Sequence, residues 1–364
     1  MPKIRLVNIN KKYEGLHLLK NVNLEIPNNT LFVILGPPRS GKTALGRILA
    51  GLELPDSGSI FFDDEDVTYK GPNQRNVSLV FQDFALYPHL TAYDNIASSL
   101  LKSRLTKEEI RKRVKEFAEY LKIDHRLTHY PSELSGGEKQ RVAIARALVR
   151  GAQIIILDEP FVRLDYKVRE DMRAQLYRLH RDLGVTVIIL SSDHMDAMAF
   201  PDNIAFMLEG EIIQVGNLDA MYEQPTNLSI AKYLGLVEMN VFPAKSILDL
   251  KGTEIPRSLS MLDGTMLIGF RPEHVTLHYE NTLKPDKIIL AGKVKITEIV
   301  GSETIVHLDA GLLEPVKVLI SMIVRKTPGE AVRVAVDVKD IYVFDAKGKF
   351  VGRGGDLIGG DIAR

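Results

Sequence analysis

A loop of glycines, a lysine and a threonine carries the first recognisable chemistry of this sequence. Residues 36–43 read Gly-Pro-Pro-Arg-Ser-Gly-Lys-Thr, which matches the pattern G-x-x-x-x-G-K-[ST]. The glycines let backbone N–H groups point inward at phosphate oxygens, and a helix behind the loop adds the positive end of its dipole. Lys42 would then reach the β- and γ-phosphates, and Thr43 would place its hydroxyl on Mg²⁺. The alternative is a glycine turn that merely precedes a helix.

Two acids and an amide follow other apolar runs. Residues 154–157 are Ile-Ile-Ile-Leu and lead into Asp158 and Glu159. An aspartate at a strand tip suits a Mg²⁺ contact through water, and a neighbouring glutamate can polarise an attacking water. Gln82 follows the run 76–81, at the strand edge where ligands gather in α/β sheets. Taken alone, each of these residues can equally be an ordinary polar strand end.

Two further features are compatible with nucleotide binding without requiring it. Ser135, Gly136 and Gly137 stand at the start of a predicted helix, where free N–H groups can bind an anion. The alternative is a helix cap with flexible glycines. Tyr13 is an aromatic residue upstream of the phosphate loop, and it can stack on a base or simply pack beside a turn.

These residues need a sheet that presents them at one edge. Apolar runs predict strands ahead of the phosphate loop, Gln82 and Asp158, and a helix follows the loop at 44–50. The stretch at about 87–150 is largely helical. Further elements are predicted at 3–9, 19–26, 185–190, a hairpin of 204–208 with 211–215, and a helix over 217–235. The pattern indicates an α/β P-loop NTPase domain over residues 1–236.

The pattern changes to strand-like alternation over residues 240–364. This region has short turns and no catalytic constellation, which indicates a second, all-β domain of barrel or OB type. Its glycine-rich end, 352–364, is predicted to be loose. The most regular strand predictions in this domain are 266–270, 293–298 and 332–336.

Length and composition agree with two domains and exclude several classes of function. The chain has 364 residues, which fits about two domains. Lys plus Arg and Asp plus Glu balance at 47 each, so no global basic field suggests nucleic acid. The absence of cysteine excludes disulfides and thiol catalysis. The N-terminus reaches charge too early for a signal peptide, and the apolar runs are too short to span a membrane. We therefore expect a cytoplasmic protein.

Four motifs in this order resemble the ATP-binding subunit of an ABC transporter. They are the P-loop at 36–43, Gln82, the signature segment Leu-Ser-Gly-Gly-Glu-Lys-Gln at 134–140, and the acids Asp158 and Glu159. The likeness extends past these motifs. Residues 74–91 and 268–274 look like the sugar and polyol importer branch, similar to maltose-importer ATPases. Residues 268–274 also resemble that branch's C-terminal OB-type regulatory domain.

The resemblance implies that two such subunits sandwich two ATP molecules, each between one chain's P-loop and the other's signature helix. ATP-driven closure would be coupled to integral-membrane permease subunits, held through the helical subdomain near Gln82. Glu159 would act as base, and Thr43, Gln82 and Asp158 would contact Mg²⁺. The implied nucleotide-binding residues are Tyr13, Gly36, Pro37, Arg39, Ser40, Gly41, Lys42, Thr43, Ala44, Ser135, Gly136, Gly137 and Asp158.

The sequence departs from the family pattern beside the γ-phosphate. Counting from Asp158 places the family's switch histidine at position 192, where this chain has Ser192. Serine can donate a hydrogen bond but carries no positive charge. His194, two residues on, would point the same way if the backbone stayed extended, so a displaced switch is an open alternative.

Two more departures lie nearby. The family's Ser-x-Leu-Asp reads Val162-Arg163-Leu164-Asp165, and in the P-loop Pro38 and Arg39 replace a usual serine and glycine. Together with position 192, these changes predict a weakened ATP site in this chain beside an intact signature segment. That combination is expected of one half of an asymmetric heterodimer whose partner is a paralogous ATPase.

The sequence thus predicts an ATPase subunit of a carbohydrate or polyol importer, bound to the inner face of the plasma membrane through permease subunits. An external solute-binding protein would be an indirect partner. One alternative is a mainly regulatory nucleotide-binding subunit. Another is a homodimeric importer ATPase for a metal, polyamine or oxyanion. An ABC ATPase acting on nucleic acid is disfavoured by the balanced charge and the importer-like second domain.

Overall fold

The structure is a computed structural model that describes residues 2–200, 202–250, 253–260, 262–278 and 286–358. The chain forms two compact units, Met1–Leu218 and Asp219–Arg364. The sequence predicts the domain boundary between residues 236 and 240. In the structure the boundary lies after Leu218, so residues 219–236 belong to the second unit.

The first unit alternates strands and helices. Its described strands are β1 (Ile4–Tyr13), β2 (Leu16–Ile26), β3 (Leu31–Leu35), β4 (Ser57–Phe62), β5 (Glu65–Asp66), β6 (Val77–Val80), β7 (Ile154–Asp158), β8 (Thr186–Ser191), β9 (Ile204–Leu208) and β10 (Glu211–Gly216). Its described helices are α1 (Lys42–Leu49), α2 (Pro72–Arg75), α3 (Ala92–Ala97), α4 (Lys107–Tyr120), α5 (Gly136–Leu148), α6 (Tyr166–Leu183) and α7 (His194–Ala199).

Two sheets share the core of this unit. One is antiparallel, in the order β2-β1-β4-β5, and the other runs β10-β9-β3-β8-β7-β6. In the second sheet β3 pairs in parallel with β8 and β9, and β7 pairs in parallel with β6 and β8. Strands covered on both faces must be apolar throughout, which is why β3, β7 and β8 are buried along their whole length.

Helix α1 packs on the strands that carry the predicted site. Leu45, Ile48 and Leu49 are buried in one hydrophobic cluster with Ile156 of β7 and Leu190 of β8. The parallel strands bring the carboxyl ends of β3, β7 and β8 to the same edge of the sheet, where ligands bind in folds of this kind. The predicted α/β arrangement is confirmed.

The second unit is mainly antiparallel β-structure, as predicted. Its described helices are α8, whose span Leu218–Glu223 begins at the unit boundary, α9 (Leu228–Tyr233), α10 (Ala244–Leu248), α11 (Arg257–Ser260) and α12 (Gly354–Ile358). Its described strands are β11 (Asn240–Pro243), β12 (Leu267–Phe270), β13 (Val275–His278), β14 (Lys287–Val300), β15 (Glu303–Asp309), β16 (Val316–Ile320), β17 (Ala331–Asp337), β18 (Ile341–Phe344) and β19 (Phe350–Arg353). They form the sheets β11-β12-β18-β19 and β13-β17-β14-β15-β16.

Two predictions at the ends of this unit are wrong. The helix expected over 217–235 is two helices, α8 and α9, because Pro225 between them cannot continue a helix. The tail expected to be loose, 352–364, begins with the last two residues of β19, which pairs with β18, and continues into α12. Residues 359–364 of that tail lie outside the described part of the chain.

The side chain of Arg271 connects the region of helices α8 and α9 to the rest of the second unit. Its side chain is 1% exposed, and its guanidinium donates to the carbonyl oxygens of Leu234 and Tyr222 and to the Tyr342 hydroxyl. Each of these bonds satisfies a buried donor that would otherwise be costly. The chain after α8 is thereby tied to β18.

None of the helices in the described part of the chain is long and apolar enough to cross a bilayer.

Candidate functional site

The loop between β3 and α1 has the backbone conformation that a phosphate loop needs. Gly36 passes so close to Met207 that an added Cβ would lie 2.0 Å from the Met207 carbonyl oxygen. Gly41 caps α1 with φ 105° and no side-chain hydrogen bond to the helix start. Only glycine adopts that angle without strain. Both glycines of the motif are therefore required by the backbone.

Lys42 is buried beneath this loop. Its side chain is 5% exposed, and Nζ donates to the carbonyl oxygens of Gly36 at 2.8 Å and of Pro37 at 3.0 Å. The same Nζ lies 3.6 Å from Glu159 Oε1. Burial lowers the pKa of Lys42, and the Glu159 and Asp158 carboxylates oppose that shift. The lysine therefore connects the loop to the acids after β7.

Thr43 and Asp158 form the second link between the loop and β7. Thr43 Oγ1 donates to Asp158 Oδ1 at 3.2 Å. Burial is the main cause that raises the pKa of Asp158, while the Thr43 hydrogen bond opposes it. Both residues line a cleft of about 460 Å³ together with Gln82 and Arg163. This cleft gathers the three predicted metal contacts.

Glu159 is held by Ser192, the residue at the predicted switch position. The backbone N–H of Ser192 donates to Glu159 Oε2 at 3.1 Å, and its hydroxyl donates to the same oxygen at 3.0 Å. Glu159 has φ 47°, an unusual left-handed angle for a residue with a side chain. Strained backbone of this kind is concentrated at functional sites.

His194, the other candidate for the switch position, lies in a helix. It is the first residue of α7, and Asp193 caps that helix by accepting from Met195 N at 2.9 Å. The Nε2 atom of His194 is buried without a hydrogen-bond partner among the described residues. Burial lowers the pKa of His194, which disfavours its cationic form. Of the two candidates, Ser192 is the residue that contacts Glu159.

The signature segment begins helix α5 with a complete capping box. Ser135 Oγ accepts from Glu138 N at 3.3 Å, and Ser135 N donates to the Glu138 carboxylate at 2.8 Å. Arg126 Nε donates to the other oxygen of that carboxylate at 2.8 Å. Sequence reasoning missed Arg126, because no local pattern links it to residue 138. The predicted helix cap is present, whatever else the segment binds.

The predicted residues thus fall into separate groups. Lys42, Thr43, Asp158, Glu159 and Ser192 are joined by direct contacts, and Gln82 shares their cleft. In the described part of the chain no hydrogen bond or ion pair joins Ser135–Gly137 to the P-loop. Tyr13 is 60% exposed at the end of β1.

The residues present fit a nucleotide with a divalent cation. The hydroxyl of Ser40 is buried with no hydrogen-bond partner within the described residues. The first turn of α1 has no acidic residue and no side-chain cap, so its N–H groups are available to an anion. Thr43 and Asp158 supply the hydroxyl and carboxylate oxygens that Mg²⁺ prefers.

Comparisons with known proteins give two family matches and several curated relatives. The ABC transporter family model matches residues 19–162, and the TOBE domain model matches residues 268–344. The chain is 40% identical to the glucose import ATP-binding protein GlcV of Saccharolobus solfataricus, over 82% of this chain and 86% of the relative. It is 37% identical to the trehalose/maltose import ATP-binding protein MalK of Thermococcus litoralis, over 95% of this chain and 98% of the relative.

Solved structures of ATP-binding proteins match about three fifths of the chain. A dimeric ATP-binding cassette in a post-hydrolysis state, bound to ADP and Pi, superimposes with a TM-score of 0.54 at 33% identity, covering 59% of this chain and 98% of that chain. The cbiO1 protein of Clostridium perfringens gives a TM-score of 0.56 at 32% identity, with 60% and 90% covered.

Proposed function

The chain belongs to the ATPase subunits of ABC transporters, and we propose that it binds Mg²⁺-ATP and energises an importer for a carbohydrate or polyol. One observation carries the proposal. The P-loop, the acids after β7 and Ser192 are assembled by direct contacts on a chain that matches two sugar import ATP-binding proteins over most of its length.

Each site residue has a definite task in this proposal. Lys42 and the N–H groups of the loop and of α1 hold the phosphates, and Tyr13 stacks on the adenine. Glu159 orients and polarises the attacking water. Mg²⁺, when bound, would neutralise charge that develops on the phosphate oxygens, and Thr43, Asp158 and Gln82 would hold it.

The signature segment serves a different nucleotide. Ser135, Gly136 and Gly137 bind the γ-phosphate held by a second ATPase subunit, and that subunit's signature completes the site described above. Among the described residues, no hydrogen bond or ion pair joins this segment to the chain's own P-loop, which is compatible with a site built from two chains. Nucleotide-driven closure of the pair is the motion that drives transport.

The permease binds beside the helical subdomain. A groove of about 350 Å³ is lined by Tyr87, Phe81, Leu79 and Arg146, among other residues. Arg146 donates to the carbonyl oxygens of Ala85 at 2.7 Å and of Phe84 at 2.9 Å, so the segment after Gln82 is fixed to α5. Binding of a partner in this groove can therefore change the position of the segment that contains Gln82. Through the permease, the chain lies on the inner face of the plasma membrane.

We further propose that the chain's own hydrolytic site is weakened. Ser192 holds Glu159 but offers no positive charge to the γ-phosphate, and losing one donor aimed at developing charge costs about 10²–10³ in rate. An intact signature beside this site is expected of one half of a heterodimer with a paralogous ATPase. Purification from native membranes tests this. Isolation only as a self-paired, fully active dimer would contradict it.

Other functions remain distinguishable by experiment. A mainly regulatory subunit would bind ATP without turnover, even when paired with its partner subunit. A homodimeric ATPase for a metal, polyamine or oxyanion would be active alone and would copurify with a different permease. The test is an ATP-trapping assay of wild type and Glu159→Gln. We expect ATP to be converted slowly by the wild type and to remain intact on the variant, and absence of bound nucleotide on both would refute the proposal.

A further inference from the structure

Arg39 occupies a backbone position that disfavours arginine. Ser40 N donates to the Pro37 carbonyl oxygen at 3.2 Å, which closes a turn with Pro38 and Arg39 at its centre. Arg39 has φ 66°, and turns with positive φ at the third residue usually have glycine or asparagine there. The chain thus keeps a long cationic side chain where glycine would relieve strain. Strain retained on a ligand-binding loop motivates a functional hypothesis.

The Arg39 cation is available to a ligand. Its side chain is exposed, and within the described residues it has no hydrogen bond or ion pair. The turn that carries it adjoins Pro37, whose carbonyl oxygen accepts from Lys42 Nζ, and Ser40, whose hydroxyl is buried without a described partner. Arg39 therefore lies on the phosphate loop itself and is not committed to another group of the chain.

The charges around Glu159 favour an additional cation beside a bound phosphate. Among the described residues, Lys42 is the cation that contacts Glu159, at 3.6 Å. Asp158 and Glu159 are both acidic, and Ser192 contributes hydrogen bonds without charge. A phosphate group placed beside two carboxylates is repelled, and a cation in addition to Lys42 and the proposed Mg²⁺ would reduce that repulsion further. Guanidinium groups bind phosphate through paired hydrogen bonds, so arginine suits this task better than lysine.

We propose that Arg39 binds the terminal phosphate of ATP and supplies the positive charge that Ser192 lacks. The inference rests on the proposed binding of ATP. ADP has no such phosphate, so Arg39 makes the site discriminate ATP from ADP. Arg39 comes from the loop rather than from the end of β8, so it strengthens ATP binding without restoring the switch histidine's contact with the attacking water. The chain accordingly holds ATP firmly and hydrolyses it slowly.

Equilibrium binding of Mg²⁺-ATP and Mg²⁺-ADP to the full-length chain tests this proposal. The parent is the Glu159→Gln variant, which prevents hydrolysis during the titration. Arg39→Gly is expected to weaken ATP binding by about tenfold, the loss expected for a charge-assisted hydrogen bond, and to change ADP binding less than about twofold. Arg39→Asn, which tolerates the left-handed angle, should behave like Arg39→Gly, and Arg39→Lys should retain part of the affinity.

Lys122→Gly is the matched control. Lys122 is another exposed cation at positive φ, 56°, so its replacement also removes one charge and one strained residue. It should leave the Kd values of both nucleotides unchanged. Equal loss of ATP and ADP affinity in Arg39→Gly, or no loss, would overturn the role of Arg39. A parent that binds neither nucleotide would instead refute the proposed function. Weaker ATP-driven dimerisation at unchanged affinity would assign Arg39 to the partner chain and also overturn the proposal.

Discussion

The starts of α1 and α5 are both predicted to bind phosphate, yet they are built differently. Helix α1 begins at Gly41, with no side-chain cap and no acid in its first turn. Helix α5 begins at Ser135, whose hydroxyl and N–H are both bonded to Glu138. The first start leaves its N–H groups to a ligand, whereas the second satisfies the N–H groups of Ser135 and Glu138 internally.

The uncapped start of α1 and the capped start of α5 suit different tasks. An open helix start binds phosphate as soon as nucleotide arrives, because no internal bond must break. A capped start is stable alone, and under the proposed function its serine and glycines would meet the nucleotide of a second subunit. In this chain the two helix starts therefore differ in how they satisfy their own N–H groups, as the two proposed tasks require.

The largest effect is expected when the open start is disturbed. In Gly41→Ala the new Cβ would lie 2.7 Å from the Leu18 carbonyl oxygen, at φ 105°. Strain and overpacking together should lower the free energy of unfolding by about 3 kcal/mol and abolish ATP binding. The control is Gly15→Ala, also at positive φ but with nothing within 4 Å, which should cost about 1 kcal/mol. Equal losses in urea unfolding would contradict this account of Gly41.

A smaller effect is expected at the capped start. Ser135→Ala removes the acceptor of Glu138 N and should lower the free energy of unfolding by about 1 kcal/mol. Ser132→Ala is the control, since Ser132 is exposed just ahead of the segment and should change stability by less than about 0.5 kcal/mol. If urea unfolding finds Ser135→Ala as stable as the control, the capping box does not stabilise α5.

The smallest effect is expected at the start of helix α7, in the pH dependence of stability. Because burial lowers the pKa of His194, the unfolded chain binds its proton more readily than the folded chain. The stability of the wild type should therefore fall as pH drops from 7 toward 5, and His194→Asn should show a shallower fall. Urea unfolding at pH 7, 6 and 5 measures both slopes. Identical slopes would show that His194 is not desolvated.

Much of the fold could be predicted from local patterns. The strands before the P-loop and Asp158 are apolar runs with glycine or acidic ends, and the OB-type region alternates with period two. Strand β19 could not be predicted this way, because it exists through pairing with β18. The break between α8 and α9 had a visible signal in Pro225, which the sequence prediction overlooked.

The site residues also divide into those that motif spacing predicts and those that only the three-dimensional structure reveals. Motif spacing identifies Lys42, Thr43 and Asp158, which the structure joins by contacts. The choice between Ser192 and His194 needed three-dimensional geometry, since both follow β8 and only the helix start of α7 turns His194 away from an extended path. Arg126 and the left-handed angle of Arg39 likewise depend on backbone conformation and long-range packing rather than on local composition.

We propose that this chain holds ATP in a complete phosphate loop but hydrolyses it slowly, because Ser192 does not replace the switch histidine's contact with the attacking water. Steady-state ATP turnover of the purified wild type, with Ser192→His and Glu159→Gln beside it, tests this most directly. We predict little turnover in the wild type, a rise of about 10²-fold in Ser192→His, and none in Glu159→Gln. Fast wild-type turnover that Ser192→His does not increase would contradict the claim.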